Sequence, residues 1–433
     1  MRKIIQYMMM ALIAVVLASC ANDISEESTP TVKSNIRFVV DDFPMFEKPS
    51  TRTIGEEDKG KTAWAVGDEI CVKLESKELG TQTATLKYNG VKFELQDGNS
   101  LGYLEDEPVT AYAYYAPNRK WLNDGNLGYK DGEHDGTAEL LEATCTVHYG
   151  DDNYIDISFA TATRNYSRLR IATMPNKPIT VDINYFTPAG SSDMKWDQNY
   201  ALTSDEKGNA YLYGTFENNS EVTVKYREAP LKTYTFSQAT ESAKSYALDA
   251  TVVSLTDEGI TRDQIVENVK KELDAGKTYI NLMLAPDVDE ETLDAIHIGL
   301  LEGGARDGTI NLTLIGCKKI PSGGFMYWKI LKSIALPDVT EIAEKAFLDC
   351  TGLQKVVLGN LTKVYGKAGE KGIFEGCRTK DIDLVLSKDQ KVMNGGETEG
   401  GYCWTADITK DYSSEHHGSV FLDYNFKSIT CDY

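Results

Sequence analysis

A spacing of 22 residues in the last third of the chain restricts its fold more than any other feature of the sequence. Leu331, Ile334, Leu336, Val339, Ile342, Ala346, Phe347 and Cys350 form a template of apolar positions. Shifted by 22, Leu353, Val356, Leu358, Leu361 and Val364 repeat its first five places. Ile373, Phe374 and Cys377 repeat the last three after five inserted residues between Gly366 and Gly372. One unit earlier, Leu312, Leu314, Cys317, Ile320, Phe325 and Trp328 fill the same places, and only Thr309 and Gly324 break the pattern. So short a unit holds one strand and a return segment and cannot bury its apolar edge alone, so successive units must stack. Phe347 and Cys350 of one coil are therefore predicted to lie on Phe374 and Cys377 of the next, as core.

Ahead of the repeats, Thr261-Arg262-Asp263-Gln264 has capping-box spacing. Ile265, Val269 and Leu273 then fall on one helix face, with Gly276 to close it. A strand from Tyr279 to Leu284 and a second helix from about Asp289 to Leu301 follow. Residues 256–308 read as a helical and strand cap, 309–379 as repeats, and 380–433 as an irregular C-terminal cap, because the register slips by one at Ile382, Leu384 and Leu386. The unit L-x-x-I-x-L-P-x-x-V-x-x-I-x-x-x-A-F-x-x-C is that of BspA-type leucine-rich repeats, which Leu331 to Cys350, Pro337 included, closely resembles. The resemblance implies a C-terminal α/β leucine-rich-repeat solenoid over 256–433. An open face of that kind recognises proteins or glycans by extended contact.

Residues 34–255 carry a different period. Short alternating runs recur between Gly, Asn and Asp, among them Glu69 to Leu74, Ala84 to Tyr88, Val91 to Leu95, Val109 to Tyr114 and Tyr154 to Phe159. Asn89-Gly90 between two of them signals a two-residue hairpin. Many short strands with few helical stretches predict an all-β Greek-key sandwich. Arg52, then Trp64-Ala65-Val66-Gly67-Asp68-Glu69-Ile70, then Tyr112-Ala113-Tyr114-Tyr115-Ala116-Pro117 resembles the fimbrillin-like family of Bacteroidetes lipoproteins. This chain departs from that family in having Phe159 to Thr163 where a histidine is expected. The resemblance implies polymerisation by strand donation, and a trypsin-like cut after an arginine near the start that removes the first strand. Here that arginine would be Arg52; its other reading is a solvated loop residue.

The chain opens with Arg2 and Lys3, then an apolar run from Met8 to Leu17, much shorter than the roughly 20 apolar residues a membrane span needs. Leu17-Ala18-Ser19-Cys20 resembles the bacterial lipobox, which implies lipidation of Cys20 after removal of residues 1–19. The alternative is an ordinary signal peptide cut after Ala18 or Ser19. Residues 20–33 are polar and acidic and read as a tether. The expected location is therefore the outer membrane, facing the cell surface, held by lipid.

The formal charge of −21 repels phosphate backbones, so nucleic acid is excluded as a partner. Apart from Cys20, seven scattered cysteines remain, without zinc or redox spacing. His416-His417 reads as a loop pair, and Asp124 to Thr137 as a solvated hairpin loop without calcium-loop spacing. No G-x-S-x-G, H-E-x-x-H or P-loop is present, and in so acidic a chain paired carboxylates carry no information. The sequence therefore predicts a non-enzyme with no metal and no cofactor. Its expected function is adhesion or pilus (fimbrial) assembly, with ligand binding by the repeat domain. Expected partners are host or bacterial surface proteins or glycans and other fimbrial subunits. A glycan-binding lipoprotein of a nutrient-uptake system is the first alternative, to be recognised by exposed aromatic platforms. A carbohydrate-active hydrolase is the second, to be recognised by convergent carboxylates of raised pKa.

Overall fold

A computed structural model describes residues 32–47, 60–104, 107–150, 153–160, 164–257, 259–366, 368–369, 372–394, 397–402 and 420–431. The alternating runs of the first part become β1 (Arg37–Val40), β2 (Glu69–Ser76), β3 (Gly80–Tyr88), β4 (Phe93–Leu95), β5 (Thr110–Tyr115), β6 (Leu141–His148) and β7 (Tyr154–Ile157). They form one sheet in the order β1-β7-β6-β5-β2-β3-β4, with β1 parallel to β7 and every other pair antiparallel. Ile70, Val72 and Leu74 alternate along β2 and are fully buried, as a half-buried strand requires. They meet Leu86, Ala113, Leu141 and Ile155 from the neighbouring strands, so the sheet curls around its own side chains. The Asn89-Gly90 turn joins β3 to β4, with the Asn89 side chain accepting from the backbone of Val91 and Lys92.

A second sheet has its own core. Its strands are β8 (Ser167–Ala172), β9 (Pro178–Pro188), β10 (Lys195–Thr203), β11 (Asn209–Phe216), β12 (Glu221–Tyr226), β13 (Ala229–Thr235) and β14 (Ser245–Asp249). The order is β13-β12-β9-β11-β8-β14, and β10 also pairs with β9. β9 pairs with β12 up to Ile183 and with β11 from Phe186 onward. Tyr185 between them sits at φ 49°, a left-handed kink that lets one strand serve two partners. Val181, Leu212, Phe216 and Val224 fill this core.

The third part contains β15 (Val253–Ser254), α1 (Arg262–Asp274), β16 (Tyr279–Met283), α2 (Glu290–Glu302), β17 (Ile310–Ile315), β18 (Lys319–Ile320), β19 (Leu331–Leu336), β20 (Glu341–Ile342), β21 (Lys355–Leu358), β22 (Lys363–Val364), β23 (Asp383–Leu386) and β24 (Ser428–Cys431). A parallel sheet runs β15-β16-β17-β19-β21-β23-β24, and β18, β20 and β22 form a second, narrow parallel ladder. Ile334 pairs with Val356 and Ile342 with Val364, so coils offset by 22 residues stack in register. Val356 then pairs with Leu384, which absorbs both the insertion and the one-residue slip. Phe325, Phe347 and Phe374 stack almost face to face, with centroids 5.3 and 5.1 Å apart.

The α/β leucine-rich-repeat solenoid expected over 256–433 is corrected by this structure. Among the described residues there are two α-helices, both ahead of the repeats. α1 begins at the capping box, where Thr261 caps Gln264 and Gln264 answers to the backbone of Thr261. Within the repeats the return segments are short strands and turns, so the third part is a β-coil stack that follows two helices. Gly323 and Lys345, one coil apart, both have positive φ, and so do Tyr327, Asp349 and Gly376. Left-handed residues at two places in a return segment interrupt any α-helix there. The sheet also continues past the repeats through β23 and β24, both parallel to what precedes them.

Candidate binding surfaces

Cys20, Arg52 and the His416-His417 pair lie outside the described residues. Among the described residues three surfaces stand out.

The first is the open seam of the first sheet. β1 and β4 are its two edges, and a groove of about 830 Å³ lies between them. Phe38 and Val40 of β1, Phe93 and Leu95 of β4, Trp64 and Tyr88 line it. Trp64 meets Phe43, Phe93 and Tyr115 edge-on at 4.8, 4.9 and 5.3 Å, and its ring N–H donates to the Asp41 carbonyl. The Trp-x-x-Gly-Asp motif explains that position. Gly67 takes φ 95°, which an L side chain resists. The Asp68 carboxylate accepts from the Ala65 amide at 2.6 Å and pairs with Lys61, fixing the turn that delivers Trp64. Val66 and Val91 stand exposed at the lip.

The second is a strap. From Ile36 to Glu47 the chain runs along the first sheet and ends against the second. β1 supplies four parallel pairs to β7. Phe43 enters the first core, and Phe46 packs with Tyr166, Ala189 and Tyr213 between the two sheets. The Glu47 amide donates to the Ala243 carbonyl, and Glu47 accepts from the Ser245 amide, each at 2.9 Å. Arg164 clamps this crossing. Its guanidinium lies 4.1 Å over the Phe46 ring, donates to the Pro44 carbonyl at 2.5 Å, and pairs through Nε with Glu139 at 2.6 Å. Arg164 is 1% exposed, and burial pushes the Glu139 carboxyl up despite Arg164 beside it. No sequence signal marked Arg164 or Glu139.

The third is a polar cleft of about 740 Å³ between the second sheet and the coil stack. Tyr279, Asn311, Ser333, Lys355 and Asp383 form one cross-strand row along the parallel sheet and line one wall. Asp182, Asp197, Asn199 and Glu221 line the other. Beside it the two bodies are in contact: Asn281 donates to the Leu231 carbonyl at 3.0 Å, Arg227 pairs with buried Asp338, and Ala229 packs on Ala335 and Val357. The ring of Tyr279 carries the Lys232 ammonium 5.2 Å above it. Burial raises the Asp383 carboxyl, but hydrogen bonds from Lys427 and Ser428 outweigh it and hold the group below the usual range. Among the described residues no group of three His, Cys, Asp or Glu side chains is placed to hold a metal, and no helix is long and apolar enough to cross a membrane.

The chain matches no protein-family model, and no curated protein is similar to it. Among solved structures, a double mutant of the shaft pilin SpaA from Lactobacillus rhamnosus GG is similar over 53% of this chain and 100% of its own, at 10% identity and a TM-score of 0.21. A single mutant of the same pilin is similar over 54% of this chain and 100% of its own, at 10% identity and a TM-score of 0.19. Similarity at that level carries no argument about function.

Proposed function

We propose that this chain is a non-catalytic surface protein of the adhesion or pilus-assembly type, lipid-anchored to the outer membrane through Cys20. The observation that supports it best is the open first sheet and the strand that borders its seam. β1 lies upstream of Arg52, is paired only along β7 within its sheet, and carries Phe38 into the core. A cut at Arg52 would divide the strap from the rest of the chain. Release of that strap would bare the β7 edge and the core positions around Ile155 and Ile157. A bared edge of that kind pairs with a strand from another chain. Ligand contact through the polar cleft is the finer part of the proposal.

Limited trypsin digestion followed by sizing tests this reading. Cleavage at Arg52 ahead of most other sites, with oligomeric or strand-accepting product, supports it. Resistance at Arg52, or a monomer that keeps residues 21–52 bound, counts against assembly and leaves an anchored binder. The aromatic side chain that lines the cleft, Tyr279, has the Lys232 ammonium 5.2 Å from its ring centroid. The Asp383 carboxyl of the cleft is held below the usual range by its hydrogen bonds from Lys427 and Ser428.

A further inference from the structure

The coil stack contains a thiol pair that nothing in adhesion or assembly requires. Cys350 and Cys377 occupy the same place in successive coils. The Cys350 thiol donates to the Phe325 carbonyl and the Cys377 thiol to the Phe347 carbonyl, both at 2.9 Å. The two bonds repeat the same contact one coil apart, and the Cys350 amide donates to the same Phe347 carbonyl that the Cys377 thiol reaches, which sets the two cysteines side by side. Neighbouring parallel segments lie about 4.8 Å apart, within the roughly 4.4–6.8 Å that a disulfide spans between Cα atoms. Both are free thiols, Cys350 buried and Cys377 partly exposed. The stacked Phe347 and Phe374 rings hold the two coils in this register.

We propose that Cys350 and Cys377 form a site of reversible oxidation, in which a disulfide staples two adjacent coils. The reaction partner is a disulfide-bearing oxidant. Cys377, the more exposed, loses its proton and attacks a sulfur of the oxidant, which releases one thiolate and leaves a mixed disulfide. Cys350 then loses its proton and attacks the Cys377 sulfur, releasing the second half of the oxidant as a thiolate. Two electrons and two protons pass to the oxidant, which ends as two thiols. The neighbouring Cys377 and burial raise the Cys350 thiol's pKa, which lowers its thiolate fraction.

The test incubates the full chain with reduced and oxidised glutathione at graded ratios. Free thiols are then alkylated and the chain is mapped without reduction. The expected product is a Cys350–Cys377 cross-link two hydrogens lighter than the reduced pair, reversed by a dithiol. Its formation should move the unfolding midpoint of the coil stack to higher denaturant, and reduction should return it. C377S should abolish the cross-link and leave Cys350 unalkylated until unfolding. Full alkylation of both residues after oxidation, or a stable glutathione adduct on Cys377, overturns the proposal. The wild-type titration decides the matter even if the variant fails to fold.

Discussion

Phe347→Ala should empty the middle rung of the aromatic stack, with consequences that differ between parts of the chain. Phe347 is fully buried and lies between Phe325 and Phe374. Truncating a buried phenylalanine costs about 3–5 kcal/mol, and two flanking ring contacts place this site at the upper end. A loss of about 5 kcal/mol is a large share of the stability of any domain. Phe347→Leu keeps most of the apolar volume and loses both ring contacts, each worth roughly 0.5–1.5 kcal/mol, so it should cost about 1–3 kcal/mol. Hydrogen exchange read peptide by peptide in graded denaturant separates the parts. Peptides across 331–386 should lose protection most. Those from β13 should follow in part, because Asn281 and Thr313 bond the carbonyls of Leu231 and Pro230. Peptides across 69–157 should be unchanged. Equal loss in 69–157 would refute the separation of the cores, and a leucine variant as stable as the wild type would refute the contribution of ring stacking.

Arg164→Ala should destabilise the joint between the first two sheets by about 3–5 kcal/mol, because it leaves Glu139 buried without its partner, and Arg164→Ala/Glu139→Gln should recover part of that in a double-mutant cycle. Cys20→Ala should move the chain from the detergent phase to the aqueous phase with unchanged circular dichroism; continued partitioning with detergent would overturn the lipid anchor. Asp249 and Asp383 are held below the ordinary carboxyl value because hydrogen bonds from Thr251 and Lys277, or Lys427 and Ser428, outweigh burial. Their stabilisation is complete above pH about 4 and is lost as pH falls through the lower folded values, so melting of the coil stack should drop on acidification and Asp383→Asn should flatten that slope.

The coil register was legible in the sequence because stacking demands identical positions. Ile334 over Val356 follows from a spacing of 22 and needs no knowledge of the rest of the chain. The return segments were not legible. Lys345 and Asp349 carry no glycine to announce a left-handed turn, and the resemblance suggested a helix instead. Alternation in β2 showed which residues turn inward, but a period of two does not say which strand lies alongside. The separate cores of 37–157 and 167–249 therefore came only with the structure. Arg164 and Glu139 were hidden for another reason: a charge pair 25 residues apart in an acidic chain looks like any other until its burial is known.

The aromatic stack makes the third part a body that changes length in whole steps. Five extra residues in one return segment leave Phe374 at 5.1 Å from Phe347 with rings within 10° of parallel. The ladder does not register the surplus, since Ile342 still pairs with Val364 and Val356 with Leu384. Each coil stacks on its two neighbours, so duplicating one 22-residue unit would lengthen the sheet by about one strand spacing of 4.8 Å. A unit added beyond β21 would leave Ala335 and Val357 where they meet Ala229. The span of the cleft wall could thus grow or shrink by duplication and deletion while its mounting on the second sheet stays the same, which decouples the reach of this surface from its attachment.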